Sequence, residues 1–439
     1  MLPPMKARVV IVGGGVMGTS IAMHLADRLD PIADPIVLLE RSNALAAGSS
    51  GSSGAILRQQ YANLEVARMA RNSLVDYSGF TVKTGREIGF RKAGVLTLAG
   101  PGAPVWMERV RANVELLRSD GIKTELVDAA TIRELFPGIV VSDETIGAWE
   151  PDAGFIDPVA TVEAFAAIAR TRGAVTRLGV EVTELLVEAG RVVGVETSEG
   201  RIEAEQVVVV AGPWTGALLA KAGIDAPLRA VRPEQHFIAM PKSGEAPIRR
   251  GLGAAEDFEL ADTNPVLDPL ARIENEAELR LASEAVAHPV LIDLELGFYS
   301  RCVPERASTR VGRIEYDSDA VVEDPDQLEE EVSEEMQRWS REVLAKRLPV
   351  YAELPDTASE AALYTLTPDA QAMLGPIEGA TGLFLATGFS GHGFKLAPSV
   401  GEGMSQLVLG EPVTAFELDF FRPGRFSGGV EAWGGKFGL

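Results

Sequence analysis

Two short stretches, far apart in this chain, carry the residues best suited to chemistry. The first is Arg58-Gln59-Gln60-Tyr61, which sets an arginine and a tyrosine three residues apart. A guanidinium is a planar fork that meets a carboxylate with two parallel charge-assisted hydrogen bonds. Spacing alone fits a surface arginine in a salt bridge equally well. The second is Gly388-Phe389-Ser390-Gly391-His392-Gly393-Phe394-Lys395, a glycine-dense turn that follows the apolar strand Leu383–Thr387. Glycines at 388, 391 and 393 lack a Cβ and admit a flat ligand against the backbone. A helix beginning there points the positive end of its dipole at any anion that forms nearby, and Lys395 adds a full charge. No metal site is expected. His24, His236, His288 and His392 have no ligand spacing, and a single cysteine, Cys302, excludes an internal disulfide or a multi-cysteine site.

Such side chains need a scaffold, and the start of the chain supplies its clearest part. Arg8-Val9-Val10-Ile11-Val12 reads as a buried parallel strand running into Gly13-Gly14-Gly15-Val16-Met17-Gly18, and Val37-Leu38-Leu39-Glu40 as a second strand. Gly13 permits a tight turn, Gly15 lets backbone N–H groups approach a pyrophosphate, and Gly18 lets the helix predicted over 16–29 pack close. Glycine-rich turns also end ordinary strands, but strand, helix and terminal acid together make this a dinucleotide-binding fingerprint. Glu40 is placed to accept from a ribose 2′-OH, which disfavours a 2′-phosphate and therefore NADP. Next comes Ala46-Ala47-Gly48-Ser49-Ser50-Gly51-Ser52-Ser53-Gly54. Its composition is that of a linker. Its position, ahead of an amphipathic helix predicted over 65–80, makes it a loop whose N–H and hydroxyl groups line a phosphate or a ring edge.

Residues 81–150 read as an inserted lobe, with a strand at 94–98 and a helix at 105–119. A helix over 160–172 and strands over 180–182 and 191–196 follow. The apolar run Gln206-Val207-Val208-Val209-Val210-Ala211-Gly212 is expected to rejoin the nucleotide sheet as a central strand. Strands are predicted over 231–240, 291–301 and 309–314. Residues 251–290 are mixed, and 323–347 read as one amphipathic helix with a solvated acidic face. At 439 residues, 46% hydrophobic and 24% charged, the chain is long enough for two or three lobes. A net charge of −22 argues against nucleic acid and anionic membranes as partners, since both are bound through excess lysine and arginine. The N-terminus lacks a signal-peptide layout, and no stretch approaches the roughly 18 apolar residues of a membrane span. A cytoplasmic protein without a membrane span is the expectation.

Taken together, Ser53-Gly54-Ala55-Ile56-Leu57-Arg58 followed by Tyr61, then Tyr364-Thr365-Leu366-Thr367-Pro368-Asp369, Leu374-Gly375-Pro376 and the turn at 388–395 resemble one family. It is that of the FAD-dependent amino-acid and amine oxidoreductases related to D-amino acid oxidase and sarcosine oxidase. The resemblance covers most of the chain and is weakest at 215–290. It implies an α/β fold with a non-contiguous Rossmann-like FAD-binding lobe (1–80, 151–215 and 368–439) and an antiparallel-sheet α+β substrate lobe (81–150 and 216–367). The activity it implies is oxidative deamination or N-dealkylation of an amino acid or secondary amine, by hydride transfer from the α carbon to flavin. Oxygen or an electron-acceptor protein then takes the electrons.

Carried over position by position, the resemblance assigns Gly13, Gly15 and Gly18 to the FAD pyrophosphate and Glu40 to the adenosine ribose. The Ser49, Ser50, Ser53 and Gly54 loop runs beside the phosphate and ring, Val182 beside the adenine, and Ala211, Gly212 and Trp214 along the same cofactor. Gly391, Gly393, Phe394 and Lys395 lie near the flavin pyrimidine edge. Val16, Met17, Arg41, Ser42, Gly388 and His392 complete the cofactor set, His392 as a structural or cofactor-lining residue rather than a base. Arg58 pairs with the substrate carboxylate, Tyr61 and Tyr364 shape the pocket, and Tyr299 and Arg301 are pocket candidates on the facing strand.

The departures are informative as well. Ala362 stands where monomeric sarcosine oxidase has its FAD-anchoring cysteine, so non-covalent FAD is expected. Gly54 and Ala55 stand where that relative has a threonine and a second arginine. Its oxygen-activating lysine falls near Arg310, which leaves oxidase and dehydrogenase both open. A flavin-dependent 2-hydroxy acid dehydrogenase and a flavoprotein subunit of a heteromeric sarcosine oxidase-like complex are the alternatives, and a homo-oligomer is compatible with each.

Overall fold

The computed structural model describes residues 5–242, 287–315 and 321–429. Most of the mixed stretch predicted at 251–290 lies outside the described residues. Two eight-stranded sheets dominate. In the first, strand Met5–Val12 runs parallel to Ile36–Glu40 on one side and to Gly200–Val209 on the other. Val9, Val10 and Ile11 are all fully buried, as a strand covered on both faces requires. Their alternation splits the core into two layers: Val9 and Ile11 pack with helices Val16–Ala26, Pro158–Thr171 and Ala397–Leu409, while Val10 and Val12 pack on the opposite side. The sheet continues through Leu383–Thr387, parallel to Gly200–Val209, to an antiparallel edge at Met373–Pro376. Beginning, middle and end of the chain thus share one sheet, as expected.

The second sheet runs in the order Asp356–Ala361, Glu234–Ala239, Ser308–Arg313, Phe298–Val303, Val290–Asp293, Val95–Ala99, Ile146–Glu150, Glu125–Asp128. Its pairings are antiparallel except that of Val290–Asp293 with Val95–Ala99. The predicted strand at 291–301 is in fact a hairpin. Asp293 Oδ1 accepts the N–H groups of Glu295 and Leu296 at 2.9 Å each, and Gly297 turns the chain at φ 77°. The strand predicted at 231–240 is also two, Arg229–Val231 against Tyr364–Leu366 and Glu234–Ala239 in the main sheet, with Pro233 between them.

Further differences are local. The strand placed at 180–182 starts only at Val182, and the half-exposed strand Val175–Leu178 before it carries no apolar run to announce it. The helix at 16–29 stops at Ala26, and the one at 65–80 runs Leu64–Ser78 and breaks at Gly79. The long acidic helix at 323–347 is only Glu334–Arg347. Asp324 instead caps a single turn at Pro325–Gln327, and Ser333, accepting from Met336 N–H at 3.2 Å, starts the helix. That helix docks on the second sheet through a buried pair, Arg347 Nε to Asp293 Oδ2 at 2.5 Å, and Arg347 also bonds Glu295. Asp293 is fully buried. Removing it leaves a desolvated guanidinium and two unmet turn N–H groups, so Asp293→Ala is expected to cost about 3–5 kcal/mol, read as a fall in urea midpoint.

Candidate active site and cofactor cleft

Where the first strand ends, the fingerprint opens a cleft of about 740 Å³. Gly13 has φ 124°, and a Cβ there would sit 2.5 Å from the Val210 carbonyl oxygen, so only glycine makes this turn. Lining the cleft are Gly13 and Gly15, Glu40, Arg41 and Ser42, Ser49 and Ser50, Val182, and Ala211, Gly212 and Trp214. These predicted positions therefore converge. Val16, Met17 and Gly18 lie behind the lip, in the first turns of the helix, and do not line it. Glu40 spends both carboxylate oxygens on backbone, accepting Gly14 N–H and Ser42 N–H at 2.8 Å each. Ser50 Oγ accepts Val16 N–H at 3.0 Å, while the Ser49 hydroxyl is buried with no hydrogen-bond partner. A buried hydroxyl in that state fits a cleft built to take a polar ligand. Across the mouth, Asp326 accepts from Trp214 Nε1 and Arg41 Nη1, both at 2.8 Å, with the Arg41 guanidinium 5.0 Å from the Trp214 ring centroid. The sequence hid this strap because its acids were counted as part of a helix.

A second cavity adjoins the first. Ser52 lines the cleft, whereas Ser53 and Gly54 line this cavity together with Ala55, Ile56, Arg58, Ile292, Tyr299, Ile314, Tyr364, Gly391, Phe394 and Lys395. Ala55 takes φ 44° and donates its N–H to Ser53 Oγ at 3.0 Å. A non-glycine residue in the left-handed region is strain held at a cavity wall. Arg58 is 3% exposed. Its guanidinium donates to the Gln60 carbonyl and lies 4.2 Å from the Tyr61 ring centroid. Tyr61 itself does not line the cavity. It is the platform under Arg58, stacked at 5.8 Å on His392, and burial pushes its phenol up to about 12 against the pull of the Arg58 charge.

Tyr299 and Tyr364 share a hydrogen bond, and burial raises both phenols. Tyr299 needs Gly312 on the neighbouring strand, because a Cβ there would meet its ring at 2.6 Å. Arg301, two residues on, faces the same side of the strand but does not reach the cavity. It stacks 4.3 Å from the Phe155 centroid, and burial, then Arg310, pull its guanidinium down to about 10. Arg310 donates to Ser52 O at 2.8 Å and so ties the serine loop to the second sheet.

In the glycine turn only Gly391, Phe394 and Lys395 line the cavity. Gly388, at φ 71°, and Gly393 serve packing: a Cβ on the first would meet Thr367 at 2.3 Å and on the second Phe389 at 2.9 Å. The helix begins at Ala397, after a tight turn at Phe394–Leu396, rather than in the turn itself. Lys395 is buried, with the His392 carbonyl 3.5 Å from Nζ. Burial, then Arg58, hold its ammonium well below the usual lysine range, and Glu150 opposes them. His392 is driven towards the neutral form by burial and by the two cations, Lys395 and Arg58.

Glu150 is the residue that sequence reasoning missed. It ends strand Ile146–Glu150, is fully buried, and its Oε1 accepts Gln59 N–H at 2.6 Å. Burial pushes its carboxyl up to about 7 against the Gln59 and Gln60 N–H groups and the Arg58 charge. A lone acid closing an otherwise apolar strand was the available clue. The cavity thus has a cationic wall and an isoleucine wall, and no carboxylate or imidazole among the described residues that line it. It can hold an anion and orient an apolar substituent. No group of acids, histidines and cysteine that could hold a metal occurs among the described residues, and none of their helices is long and apolar enough to cross a membrane.

Comparison with known proteins gives a consistent result. The chain is 28% identical over 427 residues to mitochondrial dimethylglycine dehydrogenase of Mus musculus, covering 96% of this chain and 44% of that one. It is 27% identical over 431 residues to 4-methylaminobutanoate oxidase (formaldehyde-forming) of Paenarthrobacter nicotinovorans, covering 97% and 46%. The chain thus spans about half the length of these relatives. In structure it is similar to L-proline dehydrogenase from P. horikoshii, with a TM-score of 0.79, 24% identity, and 98% and 100% of the two chains covered. The FAD-dependent oxidoreductase family model matches residues 8–407, from the first strand to the helix beyond the glycine turn, and the chain belongs to that family.

Proposed function

We propose that the chain binds FAD non-covalently in the cleft and oxidises an amino acid, N-alkylated amino acid or secondary amine at the carbon next to nitrogen. One observation carries the reading: a single serine loop lines the cleft at Ser49, Ser50 and Ser52 and the cationic cavity at Ser53 and Gly54. Cofactor and substrate sites are therefore contiguous. FAD, when bound, supplies the two-electron acceptor. Arg58 and Lys395 hold the substrate carboxylate, the Tyr299–Tyr364 pair closes one side, and Ile56, Ile292 and Ile314 receive the aliphatic part. With no carboxylate or imidazole among the described lining residues, an amine that enters neutral is activated by orientation and by the charged wall. The names of the two relatives, which act on methylated amines, support this class. Non-covalent attachment is supported by Ala362, which lines the cleft without a nucleophile, and by Cys302, buried against His288 and Thr309. We assign 1–80, 151–215 and 368–439 to the FAD lobe, and 81–150 and 216–367 to the substrate lobe.

The purified protein is expected to show a flavin absorption spectrum and to release its flavin into the supernatant on acid precipitation. Anaerobic bleaching should follow addition of one or more of sarcosine, dimethylglycine, glycine, proline or D-amino acids. Flavin that stays with the pellet refutes non-covalent binding. Bleaching by 2-hydroxy acids and by no amine would replace the proposed substrate class.

A further inference from the structure

Glu150 is an expensive residue to keep in this place. A fully buried carboxylate is tolerated only with strong compensation. Part of it comes from Gln59, whose N–H donates to Oε1 at 2.6 Å and whose Nε2 lies 3.4 Å from the same atom. The other oxygen, Oε2, is buried with no partner in hydrogen-bonding geometry, although the Gln60 N–H also favours the charged carboxylate. The charged and titratable groups acting around it come from two elements. Arg58 and Tyr61 belong to the segment after the short strand Ile56–Leu57, and Lys395, with His392 behind it, belongs to the glycine turn. Arg58 and Lys395 line the cavity, and Glu150 does not. The carboxylate is therefore an internal counter-ion for the two cations that face the ligand.

We infer that Glu150 is a proton-linked positioning residue, whose free Oε2 takes up one proton when a carboxylate ligand docks against Arg58 and Lys395. The inference rests on the proposed role of Arg58 as carboxylate receptor. Two carboxylates beside the same cations repel each other, and the incoming one favours the neutral form of the resident one. Glu150 already sits near neutrality in the free protein, ionised above about pH 7. Ligand binding raises its proton affinity further, so above that pH one proton moves from solvent to Oε2, the carboxylate becomes a carboxylic acid, and ligand affinity falls as pH rises. Oε1 keeps the Gln59 N–H throughout, so the segment carrying Arg58 stays in place. For a zwitterionic substrate, the proton shed by its ammonium group offsets the one gained by Glu150. An amine that must react neutral is thus bound without net proton exchange.

The test is calorimetric titration of the FAD-loaded protein with acetate, about one pH unit above neutrality, in buffers of different ionisation enthalpy. Wild type is expected to take up close to one proton per acetate. Glu150→Gln, which can still accept the Gln59 N–H, is expected to bind acetate with that uptake lost. In wild type, and in Lys395→Met, where no ammonium is left to titrate, the acetate Kd is expected to rise up to about tenfold per pH unit above the pH at which Glu150 ionises, a comparison that stands even if Glu150→Gln does not fold. Binding without proton uptake in wild type, a Kd that is flat with pH, or uptake that persists in Glu150→Gln would overturn the inference. Failure of acetate to bind at any pH overturns the Arg58 reading as well, which separates the two.

Discussion

Arg58→Ala is expected to raise KM for carboxylate-bearing amines by roughly a hundredfold or more, with a smaller fall in kcat. The size follows from the setting. A guanidinium that is only 3% exposed and lines the cavity engages a carboxylate with reduced competition from water, and losing such a charge-assisted contact costs about 2–5 kcal/mol. The substitution also removes the donor to the Gln60 carbonyl and the charge opposite Glu150. Glu150 is expected to answer by becoming fully protonated, since burial has already brought its carboxyl to about 7. The variant should therefore fold, with a lower melting temperature, and keep its flavin. Arg58→Lys keeps the charge but loses the fork and the stacking on Tyr61, 4.2 Å away, and is expected to fall between the two, at about tenfold. Steady-state kinetics with a substrate and its carboxamide analogue give the decisive comparison. An equal rise in KM for both compounds would take Arg58 out of carboxylate recognition.

What the sequence disclosed and what it withheld divide along a physical line. Strand Met5–Val12 and its glycine turn were legible because the information is local: an apolar run buried on both faces, then glycines at positions where a Cβ collides with backbone. The turn at 388–395 was legible from its local glycine density after an apolar strand, although a Cβ at Gly388 or Gly393 would meet side chains rather than backbone. Convergence in space was not. Glu150 receives its hydrogen bond from a residue 91 positions away, and its one local mark, a lone acid closing an apolar strand before a proline, does not say what it faces. Tyr61 and Arg301 were expected in the pocket from the family resemblance, yet a position carried over fixes at most the face a side chain is on. Tyr299 and Arg301 do share a face of Phe298–Val303, but the cavity ends at Tyr299 and Phe155 covers Arg301. The hairpin at 294–297 was hidden by an apolar pattern that continues through the turn. Its determinant, the side chain of Asp293 accepting two N–H groups, is a polar residue inside a strand run.

The fingerprint yields the other large expected effect. Gly18→Ala should leave the protein with little or no retained flavin. A Cβ on residue 18 would lie 2.0 Å from the Gly13 carbonyl oxygen, 3.1 Å from Val210 Cγ2 and 3.2 Å from the Gly13 carbonyl carbon. The closest of these contacts is with backbone, and that backbone is fixed, since Gly13 N–H donates to Leu39 O at 2.8 Å in the middle of the sheet. The helix must therefore retreat. It is held on its other side by helices Pro158–Thr171 and Ala397–Leu409, the second through Ser20 Oγ to Ala397 O at 2.7 Å. Overpacking of this kind costs about 1–3 kcal/mol, and the displacement falls on the lip formed by Gly13, Gly14 and Gly15, where the cleft narrows to backbone. Gly388→Ala is the matched control. It also introduces a close contact, 2.3 Å to Thr367 Cγ2, and a strained φ of 71°, but it lines neither cavity. Both variants are expected to lose stability by urea denaturation, and only Gly18→Ala to lose flavin after gel filtration. If both keep flavin in proportion to folded protein, the closeness of helix to strand is a requirement of packing alone, and the cleft lip tolerates the shift.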